Sequence, residues 1–173
     1  IMKTLSTHPA ASINAQGRLI SWEKPQIMGI LNVTPDSFYD GGQYRSQDQA
    51  RAKVQEMLTH GVDIIDVGAY SSRPGAPLIS VQEELDRAMP ILEMIHADFP
   101  QATLSIDTFR SEVAQAAVDA GVHIINDVSG GTIDPHMFDT VANCKVPYIL
   151  MHMRGIPENM QSLTTYSNIV EEV

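Results

Sequence analysis

Five short runs of apolar residues recur along the chain. They are Ile27-Met28-Gly29-Ile30-Leu31, Ile64-Ile65-Asp66-Val67, Leu104-Ser105-Ile106-Asp107, Ile124-Ile125-Asn126-Asp127-Val128 and Tyr148-Ile149-Leu150-Met151. Near-continuous apolar runs of this length predict parallel strands covered on both faces. The segments between them carry helical spacing. Val54, Met57 and Leu58 form one apolar stripe, and Leu85, Met89, Leu92 and Ile95 form another, with Pro90 predicting a kink. Ser46-x-x-Gln49 and Ser80-x-x-Glu83 read as capping boxes. Asp134-Pro135 reads as an N-cap followed by proline at the first helical position. Gly61 and Gly121 stand where helices should stop. Ser12 to Ile20 predicts a small hairpin turning at Gln16-Gly17.

The strand–helix alternation repeats. Gly61-Val62-Asp63-Ile64-Ile65-Asp66 echoes Gly121-Val122-His123-Ile124-Ile125-Asn126 at an offset of 60 residues, or two units of 30. Doubly wound sheets and (β/α)₈ barrels both produce this alternation. Polar groups at the end of every strand favour the barrel: Asn32, Asp66, Asp107, Asn126 with Asp127, and His152 with Arg154. The predicted fold is therefore an α/β (β/α)₈ barrel, with about five of its eight βα units in this sequence. Residues 1–25 form an N-terminal segment whose hairpin caps the barrel floor, and residues 26–173 form the barrel portion. A barrel of roughly 260 residues implies that about 90 more follow.

Composition narrows the function. The 173 residues are 43% hydrophobic and 18% charged, enough for one domain with a core. Twenty-one acids against 11 bases give a net charge of −10, which disfavours nucleic acid and anionic membranes as partners. The single cysteine, Cys144, rules out an intrachain disulfide and fits a reducing compartment. No apolar stretch is long enough to span a membrane, and no signal peptide is visible, which predicts a cytoplasmic protein. His8, His60, His96, His123 and His136 have no metal-ligand spacing and are expected at the surface. Cys144, just before a strand, reads as structural.

Three places carry candidate chemistry. In the long loop Asn32 to Gly42, Asn32 and Asp36 offer hard oxygens of the kind magnesium prefers, although an Asx-turn before Pro35 explains Asp36 equally well. Phe38 is either a lid over a flat ligand or a satellite core residue. Ser71-Ser72-Arg73-Pro74-Gly75 suits an oxyanion, or is an ordinary turn. Asp107 and Asn126 end neighbouring strands. They would read the amino-amide edge of a heterocycle, or else close a buried network.

Together these motifs resemble one family. Met28 to Phe38 followed by Asp40-Gly41-Gly42, and Ile65 to Gly75, look like the two signatures of dihydropteroate synthases. Ser105-Ile106-Asp107-Thr108, Ile124 to Val128 and Leu150 to Gly155 follow in that family's order. The resemblance implies a (β/α)₈ barrel, usually dimeric. It implies a transferase of folate biosynthesis, the target of sulfonamides, which condenses 4-aminobenzoate with 6-hydroxymethyl-7,8-dihydropterin diphosphate. By motif match, Asn32 binds magnesium with the diphosphate, and Ser72 touches the diphosphate end where threonine is usual. Asp107 and Asn126 bind the pterin, with Asp107 and Asn32 as the catalytic pair. Phe38, Arg73 and Pro74 belong to the loops that build the aminobenzoate site. The family's usual Gly-Glu before the second loop is Ala69-Tyr70 here. Further pterin and anion contacts are expected from later strands. The alternatives are a non-catalytic pterin-binding paralogue and the methyltetrahydrofolate-binding domain of a corrinoid methyltransferase. A Schiff-base aldolase is disfavoured, because Lys145 lies at the wrong end of its strand.

Overall fold

A computed structural model describes residues 12–34, 43–70, 79–155 and 159–173. The front hairpin forms as expected. Strands β1 (Ser12–Ala15) and β2 (Arg18–Ser21) pair antiparallel. Gln16 and Gly17 turn between them at φ 51° and 85°, the positive-φ pair of a tight hairpin.

The remaining elements are β3 (Met28–Asn32), α1 (Gln43–Thr59), β4 (Ile64–Gly68), α2 (Val81–Asp98), β5 (Thr103–Asp107) and α3 (Ser111–Asp119). They continue with β6 (Ile124–Asp127), α4 (Met137–Cys144), β7 (Tyr148–Leu150) and the short α5 (Ile169–Glu172). A 3₁₀ turn, Met160–Ser162, precedes α5. The five strands β3 to β7 form one parallel sheet in chain order, and α1 to α4 pack side by side. This is an arc of a (β/α)₈ barrel.

Parallel register sorts the two faces of the arc. Leu31, Ile65, Val67, Leu104, Ile106 and Ile125 face the helices and join Val54, Leu92, Ile95, Val113 and Met137 in the main core. Gly29 belongs to this outer face. A Cβ there would lie 2.9 Å from Val62 Cγ1 and 3.1 Å from Met57 Sδ, so its absence lets the end of α1 settle against β3. The inner face differs. Coverage on both faces holds for β4, buried throughout, but not for β3, where Ile30 is 63% exposed on the inner side.

The hairpin packs against the N-terminal ends of the strands. Ala15 and Ile20 form a second cluster with Ile64 and Ile124. Arg18 fastens it, bonding the carbonyls of Pro100 and Gln101. Arg18 Nε also lies 2.8 Å from His123 Nε2, and the Leu104 amide N–H lies 3.0 Å from His123 Nδ1. His123 is thus buried, not at the surface as its spacing suggested. Burial, with the nearby Arg18 charge, holds its pKa down at about 4.

Local signals were met unevenly. Ser80 caps α2 by accepting the Glu83 amide N–H at 3.1 Å. Gly61 and Gly121 end their helices at φ 85° and 96°. Helix α1, however, begins at Gln43, so Ser46 lies inside it and is not its cap. Helix α4 begins at Met137. Asp134 instead accepts amide N–H groups from His136 and Ser111, an Asx-turn that ties the loop to α3. Pro90 sits inside α2, which runs without a break from Val81 to Asp98. Cys144 is structural, packing against the core with its thiol 3.4 Å from Gln115 Oε1.

Replacing Gly29 by Ala is expected to destabilise the protein by about 1–3 kcal/mol through overpacking of α1 on β3. Urea denaturation monitored by far-UV circular dichroism reads this directly.

Candidate active site

Equal register at the C-terminal edge of the sheet brings one row of residues onto the inner face. Asn32 pairs with Gly68, Gly68 with Asp107, Asp107 with Asn126, and Asn126 with Ile149. One row below lie Ile30, Asp66, Ser105 and Ile124. Three of the predicted site residues, Asn32, Asp107 and Asn126, therefore share one surface.

Gly68 lets them converge. A Cβ at this position would stand 3.3 Å from Asn32 Oδ1 and 3.6 Å from Asp107 Oδ2. The carboxamide oxygen from one side and the carboxylate from the other lean into the space that any larger residue would fill.

Below them, Asn126 Nδ2 donates to Asp66 Oδ2 at 3.1 Å across the intervening strand. This bond fixes the Asn126 carboxamide with one N–H directed at Asp66. Asp66 is buried, and its other oxygen has no hydrogen-bond partner among the described residues. Ser105 Oγ, also buried, favours the Asp66 anion but stands outside hydrogen-bonding geometry. Burial raises the Asp66 pKa, against the opposing influence of Ser105 and Asn126.

Asp107 is the most perturbed group of the row. Burial, with the negative charges of Asp66, Glu84 and Asp127, pushes its pKa up to about 7. No hydrogen-bond donor among the described residues reaches its carboxylate. Near neutrality it is thus a carboxyl poised between two protonation states and open to a ligand that brings N–H donors or positive charge.

Asp127, by contrast, has its carboxylate fully engaged. Asp127 accepts the Ser129 and Gly131 amide N–H groups and the Tyr148 hydroxyl, at 2.7, 2.9 and 2.7 Å. Those bonds hold the turn after β6 closed. At the end of β7, His152 and Arg154 both engage the last loop. His152 Nε2 lies 3.0 Å from Tyr166 Oη, and Arg154 stacks on Tyr166 and donates to the Thr165 carbonyl.

Phe38, Ser72, Arg73 and Pro74 lie outside the described residues. Among the described residues no group of three His, Cys, Asp or Glu side chains could hold a metal ion. Gly68 and Ser105 were not anticipated as part of the site. The signal for Gly68 was its offset of two from Asp66 in a strand, which places both on one face.

Similarity to known proteins places the chain in a family. Residues 28–173 match the family model of the pterin binding enzymes. The chain belongs to that family. Over 154 residues it is 49% identical to the mitochondrial folate synthesis bifunctional protein of Arabidopsis thaliana, matching 87% of this chain and 28% of that protein. It is 44% identical over 156 residues to the dihydropteroate synthase of a Synechocystis species, matching 90% of this chain and 54% of that one. The Yersinia pestis dihydropteroate synthase, solved with a sulfonamide drug complex, superposes with a TM-score of 0.83 at 41% identity over 94% of this chain and 58% of that one. The Xanthomonas albilineans dihydropteroate synthase with 4-aminobenzoic acid superposes with a TM-score of 0.82 at 40% identity, over 94% and 57%. The chain thus spans between about a quarter and somewhat over half the length of these relatives. The polar row lies at the C-terminal end of the inner face of the barrel arc, and no helix among the described residues is long and apolar enough to cross a membrane.

The raised Asp107 pKa has a stability consequence of definite sign. Its carboxyl titrates near 4 when unfolded and near 7 when folded. Between these values the folded state binds the extra proton, so stability falls as pH rises through that window. The Asp107→Asn variant should match the wild type near pH 4 and exceed its stability at pH 8, by an amount on the order of 1–4 kcal/mol. Comparing the two proteins at each pH by denaturant titration cancels the opposite contribution of His123.

Proposed function

We propose that this chain supplies the N-terminal strand ends of a dihydropteroate synthase active site. The reaction joins 4-aminobenzoate to the methylene of 6-hydroxymethyl-7,8-dihydropterin diphosphate and releases diphosphate. The observation that carries the reading is the convergence of Asn32 and Asp107 over Gly68, with Asn126 alongside, in a chain so similar to enzymes of that name. The similar Xanthomonas structures with 4-aminobenzoic acid and with 7,8-dihydropteroate support the choice of substrates.

The chemistry follows from the residues. The pterin presents an amino group and a ring N–H side by side, donors of the kind that the Asp107 carboxylate lacks among the described residues. Binding them favours the ionised carboxyl and draws its pKa below 7. As diphosphate leaves the methylene, the ring takes up positive charge, which the Asp107 anion stabilises in a poorly solvated setting. Asn126, held by Asp66, has a carboxamide oxygen that can accept a further N–H. The arylamine is neutral at pH 7, so no strong base is required, and orientation carries much of the rate.

Asn32 suits a magnesium ion that arrives with the diphosphate. Its carboxamide oxygen is a hard ligand directed into the open space above Gly68. A single protein oxygen completed by substrate oxygens and water is the usual manner in which magnesium binds phosphates. When bound, the ion neutralises charge on the leaving diphosphate. Ser72 contacts the diphosphate, and Phe38, Arg73 and Pro74 build the aminobenzoate site, as the motif match implies. A homodimer in the cytoplasm completes the proposal, although the similar Arabidopsis protein is named mitochondrial.

The test is a coupled assay of dihydropteroate formation by the full-length gene product, with and without magnesium. Asp107→Ala is expected to lower turnover by at least roughly a hundredfold and to abolish measurable pterin diphosphate binding. Asn32→Ala should weaken magnesium-dependent diphosphate binding roughly tenfold with the fold intact. Wild-type binding without turnover would establish instead a pterin-binding paralogue that does not catalyse. The affinity for pterin diphosphate should fall about tenfold per unit as pH drops below 7, and isothermal titration across pH 5.5–8 reads this slope.

A further inference from the structure

We infer that Thr108, held from α2 by the buried carboxylate of Glu84, is a positioning residue for Asp107 and Asn126. The inference rests on the pterin-binding reading of their row. Its starting point is a buried polar cluster behind that row, which the proposed chemistry does not use.

Asp107 closes β5 and α3 opens at Ser111, so Thr108, Phe109 and Arg110 carry the chain from the site into the helix layer. No donor among the described residues holds the Asp107 carboxylate, so the backbone that carries it must set its place. Thr108 fixes that backbone. It is 2% exposed and is bonded in three directions. Its amide N–H donates to the Asn126 carbonyl at 3.0 Å, and its hydroxyl donates to Glu84 Oε1 at 2.7 Å. Its hydroxyl oxygen also accepts the Arg110 amide N–H at 3.2 Å.

The first bond ties the peptide after Asp107 to Asn126 itself. The second ties the same residue to α2. Asp107 and Asn126 are register partners on adjacent strands. A shift of Thr108 would therefore change the spacing between the carboxylate and the carboxamide that are to meet one ligand edge.

Glu84 can serve as a rigid anchor. It is fully buried, and its second oxygen accepts Arg110 Nη1 at 2.6 Å. Arg110 also donates to the carbonyls of Ile79 and Ser80, at 2.5 and 3.2 Å, where α2 begins. A buried carboxylate paired with a guanidinium fixed in this way has little freedom to turn. Farther along, Asp134 takes the Ser111 amide N–H at 2.7 Å. The turn from β5 into α3 is thus pinned from β6, from α2 and from the loop before α4.

Valine at 108 would fill nearly the same volume without the hydroxyl, and packing alone would then hold the turn. Groups that must meet a ligand accurately are held by such supporting bonds. A displacement of about 1 Å at a positioned group can cost on the order of a hundredfold in rate.

The test compares Thr108→Val, Thr108→Ser and Gly29→Ala in the full-length gene product, by isothermal titration with pterin diphosphate and by steady-state kinetics. Thr108→Val should weaken pterin diphosphate binding roughly tenfold, with the KM for 4-aminobenzoate at saturating pterin diphosphate within about twofold of wild type. Thr108→Ser keeps the hydroxyl and should restore binding to within about threefold. Gly29→Ala perturbs only the helix-facing side of β3 and should bind as the wild type does. Thr108→Ala, which admits water to Glu84, carries the same expectation as Thr108→Val and replaces it if the valine variant does not fold. Wild-type affinity in Thr108→Val, or losses in all variants that simply follow their thermal midpoints, would overturn the assignment. Wild-type binding without turnover, still weakened by Thr108→Val, would refute the synthase reading and leave the assignment standing. A wild type that binds no pterin diphosphate would refute both.

Discussion

The site depends on the in-register parallel ladder at the C-terminal edge of the sheet. Parallel pairing puts residues of equal register on the same face, so Asn32, Gly68, Asp107 and Asn126 come from four strands yet form one row. A slip of one residue in any strand would turn its member of the row into the helix-facing core. The apolar outer row, Leu31, Val67, Ile106 and Ile125, holds that register, because burying it in the main core leaves no alternative pairing of similar energy. Stability in the outer layer and chemistry in the inner one are two consequences of the same ladder.

Carboxylate crowding is the second organising feature. The negative charges of Asp66, Glu84 and Asp127 all bear on Asp107. The fold neutralises the cost at these three with local donors. Glu84 takes Thr108 and Arg110, Asp127 takes two backbone amides and Tyr148, and Asp66 takes Asn126. Asp107 is left with its neighbours' negative charge and, among the described residues, without a donor. A group kept in that condition is suited to a ligand that brings what is missing. In the proposed enzyme that ligand edge belongs to the pterin.

Much of this was legible in the residues. The sixty-residue echo between Gly61 and Gly121, the apolar runs and the strand-end polar groups specify a βα repeat by local pattern, and the strands appeared within a residue or two of their predicted places. Asn32, Asp107 and Asn126 were legible because motif order places them at neighbouring strand ends. Helix starts were less so. Ser46 and Asp134 carry capping chemistry, but the backbone used other entry points, and the Asp134 side chain served α3 instead. His123 has polar composition and no motif, and its burial comes from a hairpin more than a hundred residues earlier in the chain.

The sequence alone determined the alternation of elements, the family and the residue types at each strand end, because these depend on periodicity and short motifs within single segments. Only the tertiary structure decided which of those groups are satisfied. Burial and the distances between carboxylates depend on how β4, β5, β6 and α2 pack, and no local pattern encodes them. That packing makes Glu84 a buried partner of Arg110, gives Gly68 its role as the gap between Asn32 and Asp107, and leaves Asp107 with a pKa about 7.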